Sequence, residues 1–422
     1  MPGDLWDDLT WRRLVADSTK PGALHRHLLE GSRAAYVGFD PTADSLHVGS
    51  LLPLLALGRV QQAGHRPIVL IGGGTGLIGD PSGKTGERQL NPEDRVAEWA
   101  AHLKEQVTRF LDFEHAILID NYEWLSKLQV IPFLRDIGKH FPLGSMIAKE
   151  SVKSRMGHAD EWISYTEFSY QVLQAYDFMA LFERYGCTIQ LGGSDQWGNI
   201  TAGIELIRRV KGESVYGITL PLVTKIDGCK FGKTEAGTVW LDARRTSPYE
   251  MYQFWLNTAD DDVIAYLGYF SFLGREEIAA LETATRDSPE RREAQRALAR
   301  HVTGLVHGEA ATRDAEGISQ ALFSGDVGSL SERQLAQACQ TMPTTALGRE
   351  EAERLPVVDL LRRVGLAASK REGRDLVSAG AISINGQKVQ SVDAVISRDT
   401  ARFGRFFVIR KGKKSYHAAT LG

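Results

Sequence analysis

Two short strings, roughly 180 residues apart, hold residue types that could handle a polyphosphate. The first is 41–50, PTADSLHVGS. His47 and Ser50 are three apart, so at a helix start they share one face. Helix N-termini attract phosphate through unpaired N–H groups and the helix dipole. Gly49, which has no side chain, would let a flat ring approach the backbone. The second string is Lys230-Phe231-Gly232-Lys233-Thr234, flanked by Gly228 and Gly237. Two lysines three apart on a glycine-rich loop, which the glycines predict to be mobile, can close over a polyphosphate. Taken singly, the first reads as a capped helix start and the second as a solvated basic turn. Two other motif matches fail on spacing or context, and a third motif is absent. Residues 74–79 read GxGxxG, but no strand follows about 20 residues on to carry the acid of a dinucleotide site. Residues 79–85 (GDPSGKT) have three residues between glycines where a P-loop has four. The histidines show neither HxxxH nor HExxH, so no protein-held metal is expected.

Periodicity supplies the elements that would position these strings. Residues 34–39 (AAYVGF) read as a buried strand stopped by Asp40-Pro41. Residues 46–63 carry leucines at helical spacing, with Asp44 or Ser45 as N-cap and Gly64 at the far end. Residues 66–71 (RPIVLI) form a second apolar strand running into a glycine turn. Strand, helix, strand at this length predicts a βαβ unit and a parallel sheet. After a polar stretch at 80–94, helices are expected at 95–110, 122–128, 131–140, 165–185 and 199–210, with strands at 187–191 and 219–224. Residues 247–323 are helix-patterned almost throughout. Residues 324–354 read as a linker, and 355–422 as a small module with a helix near 370 and a hairpin turn at Asn385-Gly386.

The chain has 422 residues, enough for two to four domains. No apolar run approaches the roughly 18 residues that span a bilayer. The first residues, MPGDLWDDLTWRRL, lack the apolar core of a secretory signal. Cys187, Cys229 and Cys339 are far apart and share no metal-ligand spacing, which fits a reduced, cytoplasmic setting. Charge is uneven. Residues 354–422 hold 14 Lys/Arg against 5 Asp/Glu, net +9, and the rest holds 36 against 48, net −12. A basic module on an acidic body suggests a phosphate-bearing partner, most plausibly a nucleic acid.

HVGS resembles the HIGH signature, and KFGKT the KMSKS signature, of class I aminoacyl-tRNA synthetases. The strings at 36–43 (YVGFDPTA), 76–84 (GLIGDPSGK), 170–177 (YQVLQAYD) and 192–199 (GGSDQWGN) narrow the resemblance to the bacterial tyrosyl-tRNA synthetases, over nearly the whole chain. The resemblance implies a Rossmann-like parallel-sheet catalytic domain at 32–246 with a helical insertion at about 85–165. A helical lead-in at 1–31, an α-helical domain at 247–323, the linker at 324–354 and a small α+β RNA-binding domain at 355–422 would complete the chain. Tyr36 and Asp177 would reach the phenol hydroxyl of L-tyrosine. Asp80, Tyr170 and Gln174 would hold its α-ammonium group, with Gln190 and Gln196 lining the same pocket. Tyr170, Gln174 and Asp177 are spaced to share one helical face. For ATP, Gly193 and Asp195 would meet the ribose, with Asp40 close by. His47, Gly49 and Ser50 at the helix start, together with Lys84 and Arg88, would face the phosphates. Lys230, Lys233 and Thr234 would fold over the pyrophosphate. Mg2+ would accompany the ATP phosphates, without a protein-bound metal. tRNA(Tyr) is the implied partner, gripped by the C-terminal module, and the family implies a homodimer. Ser50 departs from the pattern, standing where the family has its second signature histidine. Two rival readings remain open: a tryptophanyl enzyme, and a catalytically silent RNA-binding relative. The pair Tyr36 and Asp177 argues against the first, and the retained lysines against the second.

Overall fold

The computed structural model describes residues 4–82, 90–147, 152, 163–223, 231–234, 237–348, 353–412 and 415–421. Lys84, Arg88 and Lys230 lie outside the described residues, and Lys233 and Thr234 are described by their backbone alone. The chain divides into two compact units, Met1–Arg245 with Thr258–Leu298, and Thr246–Asn257 with Ala299–Gly422.

The first unit is built on a six-stranded sheet. Its strands are β1 (Asp17–Ser18), β2 (Ala34–Phe39), β3 (Arg66–Ile71), β4 (Ile117–Asp120), β5 (Cys187–Gly193) and β6 (Tyr216–Leu220). Their order is β1-β6-β5-β2-β3-β4, with all pairs parallel except β1 with β6. The continuous apolar runs of β2 and β3 suit strands covered on both faces, and nearly every residue in them is buried. From β2 the chain proceeds through β3 to β4 on one side, then returns to place β5 on the other side of β2. That reversal opens a crevice at the carboxyl ends of β2 and β5, where ligands of open α/β sheets sit. The strand expected at 219–224 is β6, and it starts three residues earlier.

Helix α1 (Leu5–Trp11) and α2 (Pro21–Leu29) precede β2. Helix α3 (Val48–Gln62) joins β2 to β3, and α4 (Glu93–Val107) lies between β3 and β4. The short α5 (Tyr122–Leu125) follows β4. Helix α6 (Tyr165–Tyr185) begins at the Ser164 cap and ends at Gly186, whose φ of 62° suits a residue without Cβ. Helix α7 (Trp197–Lys211) links β5 to β6. The 131–140 segment is a succession of short turns rather than one helix.

The range 247–323, expected as a single helical domain, is split between the units. Helix α8 (Pro248–Leu256) goes with the second, and α9 (Asp260–Phe270) with α10 (Arg275–Asp287) goes with the first. Two buried arginines explain the attachment of α9. Arg12 and Arg59 donate to the carbonyls of Gly268 and Ser271 at its C-terminal end, satisfying acceptors that a helix leaves open.

In the second unit, α11 (Glu293–His307, shared with the first), α12 (Glu309–Ser324) and α13 (Glu332–Gln340) precede a five-stranded sheet. The expected linker at 324–354 is thereby corrected. It contains α13, started by a Ser331/Gln334 capping box, and strand β7 (Thr344–Leu347), which pairs in parallel with strand Ser415–Leu421. The turn at Asn385-Gly386 forms as read, with φ of 52° and 84° between strands Ile382–Ile384 and Gln387–Lys388. The helix near 370 spans Lys370–Ser378.

Candidate active site

The carboxyl ends of the parallel strands open into one cavity of about 450 Å3. Every sequence-predicted site residue whose side chain is described lines it: Tyr36, Asp40, His47, Gly49, Ser50, Asp80, Tyr170, Gln174, Asp177, Gln190, Gly193, Asp195 and Gln196.

At the deep end, Tyr36 on β2 and Asp177 on α6 are almost fully buried. The Tyr36 ring packs on Phe178, and its hydroxyl has no hydrogen-bond partner among the described residues. Asp177 accepts two hydrogen bonds, from Trp124 Nε1 at 2.7 Å and from Asn121 Nδ2 at 2.9 Å. Burial pushes its carboxyl up to about 8, against the two donors, which favour the charged form. Burial and the neighbouring Asp177 raise the Tyr36 phenol well above its ordinary value, so it stays protonated. Asn121 and Trp124 carry no signature in the sequence. Their signal is topological, because both follow directly on the carboxyl end of β4.

A second group lies along α6. The Tyr170 hydroxyl donates to Asp40 Oδ2 at 2.7 Å, so its own oxygen remains an acceptor. Gln196 Nε2 bridges Asp80 Oδ2 at 2.7 Å and Asp195 Oδ2 at 3.2 Å. Burial, partly offset by Gln196, raises the Asp195 carboxyl. Gln174 Oε1 and Gln190 Oε1 are buried with no partner among the described residues. An unpartnered buried amide or hydroxyl is costly. These two atoms and Tyr36 Oη, three around one cavity, mark a place built for a polar ligand.

Helix α3 begins at the cavity mouth. Its N-cap is neither Asp44 nor Ser45 but His47, whose Nδ1 accepts from Gly49 N–H at 3.0 Å. Asp44 instead pairs with Arg245, and Ser45 Oγ donates to Leu46 O. Because Nδ1 is the acceptor, neutral His47 carries its proton on Nε2. A Cβ on Gly49 would lie 2.8 Å from the His47 ring, so this cap requires glycine. Ser50 also lines the cavity, and its amide N–H returns to His47 O.

The two signature strings are joined through the backbone. Lys233 and Thr234 pair with Thr238 and Gly237 in a two-stranded ladder. Gly232 O accepts from Val239 N, Val239 O accepts from Val48 N, and Leu46 O accepts from Leu241 N, at 2.8–3.0 Å. Phe231 lines the cavity and stacks on Phe270 of α9. The lysine backbone is thus tied to the start of α3, as charge neutralisation by both strings would require. The roles assigned to Lys84, Arg88 and Lys230 fall outside the described residues.

A family model described as "tRNA synthetases class I (W and Y)" matches residues 30–324, and one described as "Tyrosine--tRNA ligase SYY-like C-terminal domain" matches 334–419. The tyrosine--tRNA ligase of Geobacillus kaustophilus is 55% identical over 98% of this chain and 99% of its own. The chain belongs to the tyrosine–tRNA ligases of the class I tRNA synthetases. The ligase of Desulfitobacterium hafniense is 53% identical over 99% of this chain and all of its own. Among solved structures, a C-terminally truncated mitochondrial tyrosyl-tRNA synthetase of Aspergillus nidulans has a TM-score of 0.69 and 30% identity, covering 76% of this chain and 94% of that one. Membership in the tyrosine–tRNA ligases sets aside both the tryptophanyl and the silent reading. The C-terminal match begins at 334, inside the stretch expected as a linker and ahead of β7.

Proposed function

We propose that the cavity activates L-tyrosine with ATP and that the enzyme then passes the tyrosyl group to the 3′ end of tRNA(Tyr). The observation that carries the assignment of the deep end is the buried pair of Tyr36, with a hydroxyl to donate, and Asp177, with lone pairs to accept. A phenol hydroxyl between them would donate to Asp177 and accept from Tyr36. Phenylalanine there would leave both groups unpaired, at the cost of burying them unsatisfied. The α-ammonium group fits the acceptors Asp80, Tyr170 and Gln174, with Gln190 and Gln196 completing the pocket. Gly193 and Asp195, with Asp40 near, suit the ribose.

The tyrosine carboxylate is already an anion at neutral pH, so attack on the α-phosphorus of ATP needs no general base. The carboxylate oxygen–phosphorus bond forms as the bond to pyrophosphate breaks. Orientation and charge neutralisation are the remaining tasks. His47 Nε2–H and the start of α3 would serve the phosphates. Lys84, Arg88, Lys230, Lys233 and Thr234 would neutralise the departing pyrophosphate. Mg2+ in this reading is held by ATP phosphates and water. Among the described residues no three His, Cys, Asp or Glu side chains are grouped as metal ligands. In the second step the terminal 2′-hydroxyl of tRNA attacks the adenylate and AMP leaves.

The basic 355–422 module would hold the tRNA by phosphate contacts, making binding salt-sensitive. The reading includes a homodimer in the cytoplasm. Val130 and Ile131 are 70% and 73% exposed, and Leu134, Leu143 and Ile147 are exposed along the same stretch, an apolar surface of the kind that a second copy covers. Among the described residues no helix is long and apolar enough to cross a membrane.

The test is ATP–pyrophosphate exchange with tyrosine, phenylalanine and tryptophan side by side, followed by charging of tRNA(Tyr). Exchange that tyrosine does not stimulate above the other two would sink the assignment. For the dimer, Ile131→Glu should shift the sedimenting species towards a monomer. An unchanged assembly would place the interface elsewhere.

A further inference from the structure

A hydrogen-bonded chain runs through the wall of the cavity from one end of the proposed tyrosine site to the other. Asn121 Oδ1 accepts from the Gly74 amide at 2.7 Å. A backbone N–H can only donate, so the amide oxygen of Asn121 must face it, and its NH2 group points the other way. That group donates one hydrogen to Asp177 Oδ2 and the other to Thr75 Oγ1, both at 2.9 Å. A hydroxyl has a single proton. With Thr75 Oγ1 accepting from Asn121, its proton goes to Asp40 Oδ1, at 2.7 Å. The other Asp40 oxygen accepts from Tyr170. Every direction in the chain is therefore set, from Asn121 through Thr75 to Asp40, with Tyr170 converging on the same carboxylate. Asn121 and Thr75 are 1% and 2% exposed, so water does not compete.

The backbone is arranged around this contact. A Cβ on Gly72 would lie 1.9 Å from Asp40 Oδ1 and 2.5 Å from Thr75 Oγ1. Glycine at the end of β3 is thus the condition for Asp40 and Thr75 to meet. The threonine lines the cavity but belongs to neither of the two groups of substrate contacts proposed above. It lies between Asn121, which orients Asp177, and Asp40, which orients Tyr170.

We propose that Thr75 is a specificity-determining positioning residue, whose hydroxyl couples recognition of the substrate's ammonium group to recognition of its ring hydroxyl. The inference rests on the placement of tyrosine argued above. An ammonium group held by Tyr170 strengthens the Tyr170–Asp40 bond and fixes the Asp40 carboxylate, since linked hydrogen bonds polarise one another. A fixed Asp40 holds the Thr75 hydroxyl, which holds the Asn121 amide towards Asp177. The enzyme should then prefer a ring hydroxyl more strongly when the ligand also bears an ammonium group.

The experiment is a cycle of four competitive inhibitors of pyrophosphate exchange, run on the full-length enzyme. The pair with the ammonium group is tyrosinol and phenylalaninol, which lack the reacting carboxylate. The pair without it is 3-(4-hydroxyphenyl)propan-1-ol and 3-phenylpropan-1-ol. The wild type should show a hydroxyl preference about tenfold larger in the first pair than in the second, the scale expected from one buried hydrogen bond. Thr75→Val, which keeps the volume and removes the hydroxyl, should bring the two preferences together, and Thr75→Ser should restore the gap. Should Thr75→Val fail to fold, Thr75→Ala with Thr75→Ser gives the same comparison. An equal gap in wild type and hydroxyl-free variant would overturn the proposal and leave the coupling to the electrostatic field of Asp40 alone. A wild type with equal preferences in both pairs would overturn it as well. If the wild type showed no hydroxyl preference in either pair, the placement of tyrosine itself would fall first.

Discussion

Trp124→Phe removes one hydrogen-bond donor from Asp177 while keeping an aromatic ring in a buried position. The indole N–H lies 2.7 Å from Asp177 Oδ1, and Trp124 is 3% exposed, so solvent does not replace it. A hydrogen bond to a charged group contributes about 1.5–3 kcal/mol. At about 1.4 kcal/mol per pKa unit, its loss lifts the Asp177 carboxyl by roughly one to two units above its already raised value of about 8. The phenol of tyrosine needs the ionised form as its acceptor, so kcat/KM for tyrosine should climb with pH through the free-enzyme pKa. At pH 8 the ionised fraction, about one half in the wild type, falls to roughly 1–10% in the variant. Tyrosine kcat/KM should therefore drop about 5- to 50-fold at that pH, with the gap narrowing as pH rises. Phenylalanine, which has no hydroxyl to donate, should lose far less. The assay is pyrophosphate exchange with both amino acids across the neutral to alkaline range. A drop of the same factor at every pH, or an equal drop for phenylalanine, would mean that Trp124 only fills space.

Asp177 also ties stability to pH. The folded protein keeps a proton that the unfolded chain sheds above the ordinary carboxyl value of 3.8, so this stabilisation is complete below about 4 and lost as pH climbs through about 8. Asp177→Asn should flatten the fall in urea midpoint between about pH 5 and pH 9, and parallel curves for variant and wild type would refute the linkage. Gly49→Ala drives a Cβ against the His47 ring. It should lower adenylate formation at least about tenfold, as expected when a preorganised donor is displaced, with tyrosine binding by equilibrium titration unchanged. Weakened tyrosine binding would move His47 to a different role. Lys233→Ala should cut adenylate formation strongly while leaving tyrosine affinity nearly intact, and the reverse pattern in stopped-flow fluorescence would contradict its assignment. A chain ended before Leu355 should keep pyrophosphate exchange and lose tRNA charging. It should also be less soluble than one ended at residue 342, because it retains β7 without its partner strand, and equal solubility would count against that pairing.

What could be read from the sequence is what repeats at short range. The runs 34–39 and 66–71 announced buried strands because both faces of a central strand must be apolar. Tyr170, Gln174 and Asp177 announced one face because helical spacing is fixed by geometry. The signature strings marked the cavity because charge and glycine content are local properties. Two of the misreadings involve partners distant in sequence. Asp44 and Ser45 are good N-caps by type, yet Asp44 is engaged by Arg245 some 200 residues on, and His47 takes the position. The stretch 344–347 is too short to announce a strand, and it becomes one by pairing with the end of the chain. Strand β6 starts three residues before the expected one because Tyr216-Gly217 breaks the apolar run that marks 219–224. Thr75, Asn121 and Trp124 are ordinary polar and aromatic residues until β3, β4 and α6 bring them beneath the same carboxylates. Each nonetheless lies just past the carboxyl end of a parallel strand, β3 or β4, the side on which an open parallel sheet receives its ligand. Once a βαβ pattern is recognised, the polar residues immediately beyond each predicted strand are therefore candidates for the site. Applied to the strands expected at 34–39, 66–71 and 187–191, that rule picks out Asp40, Thr75 and Asp195 without a signature motif, whereas Asn121 follows a strand, β4, that the sequence reading does not contain.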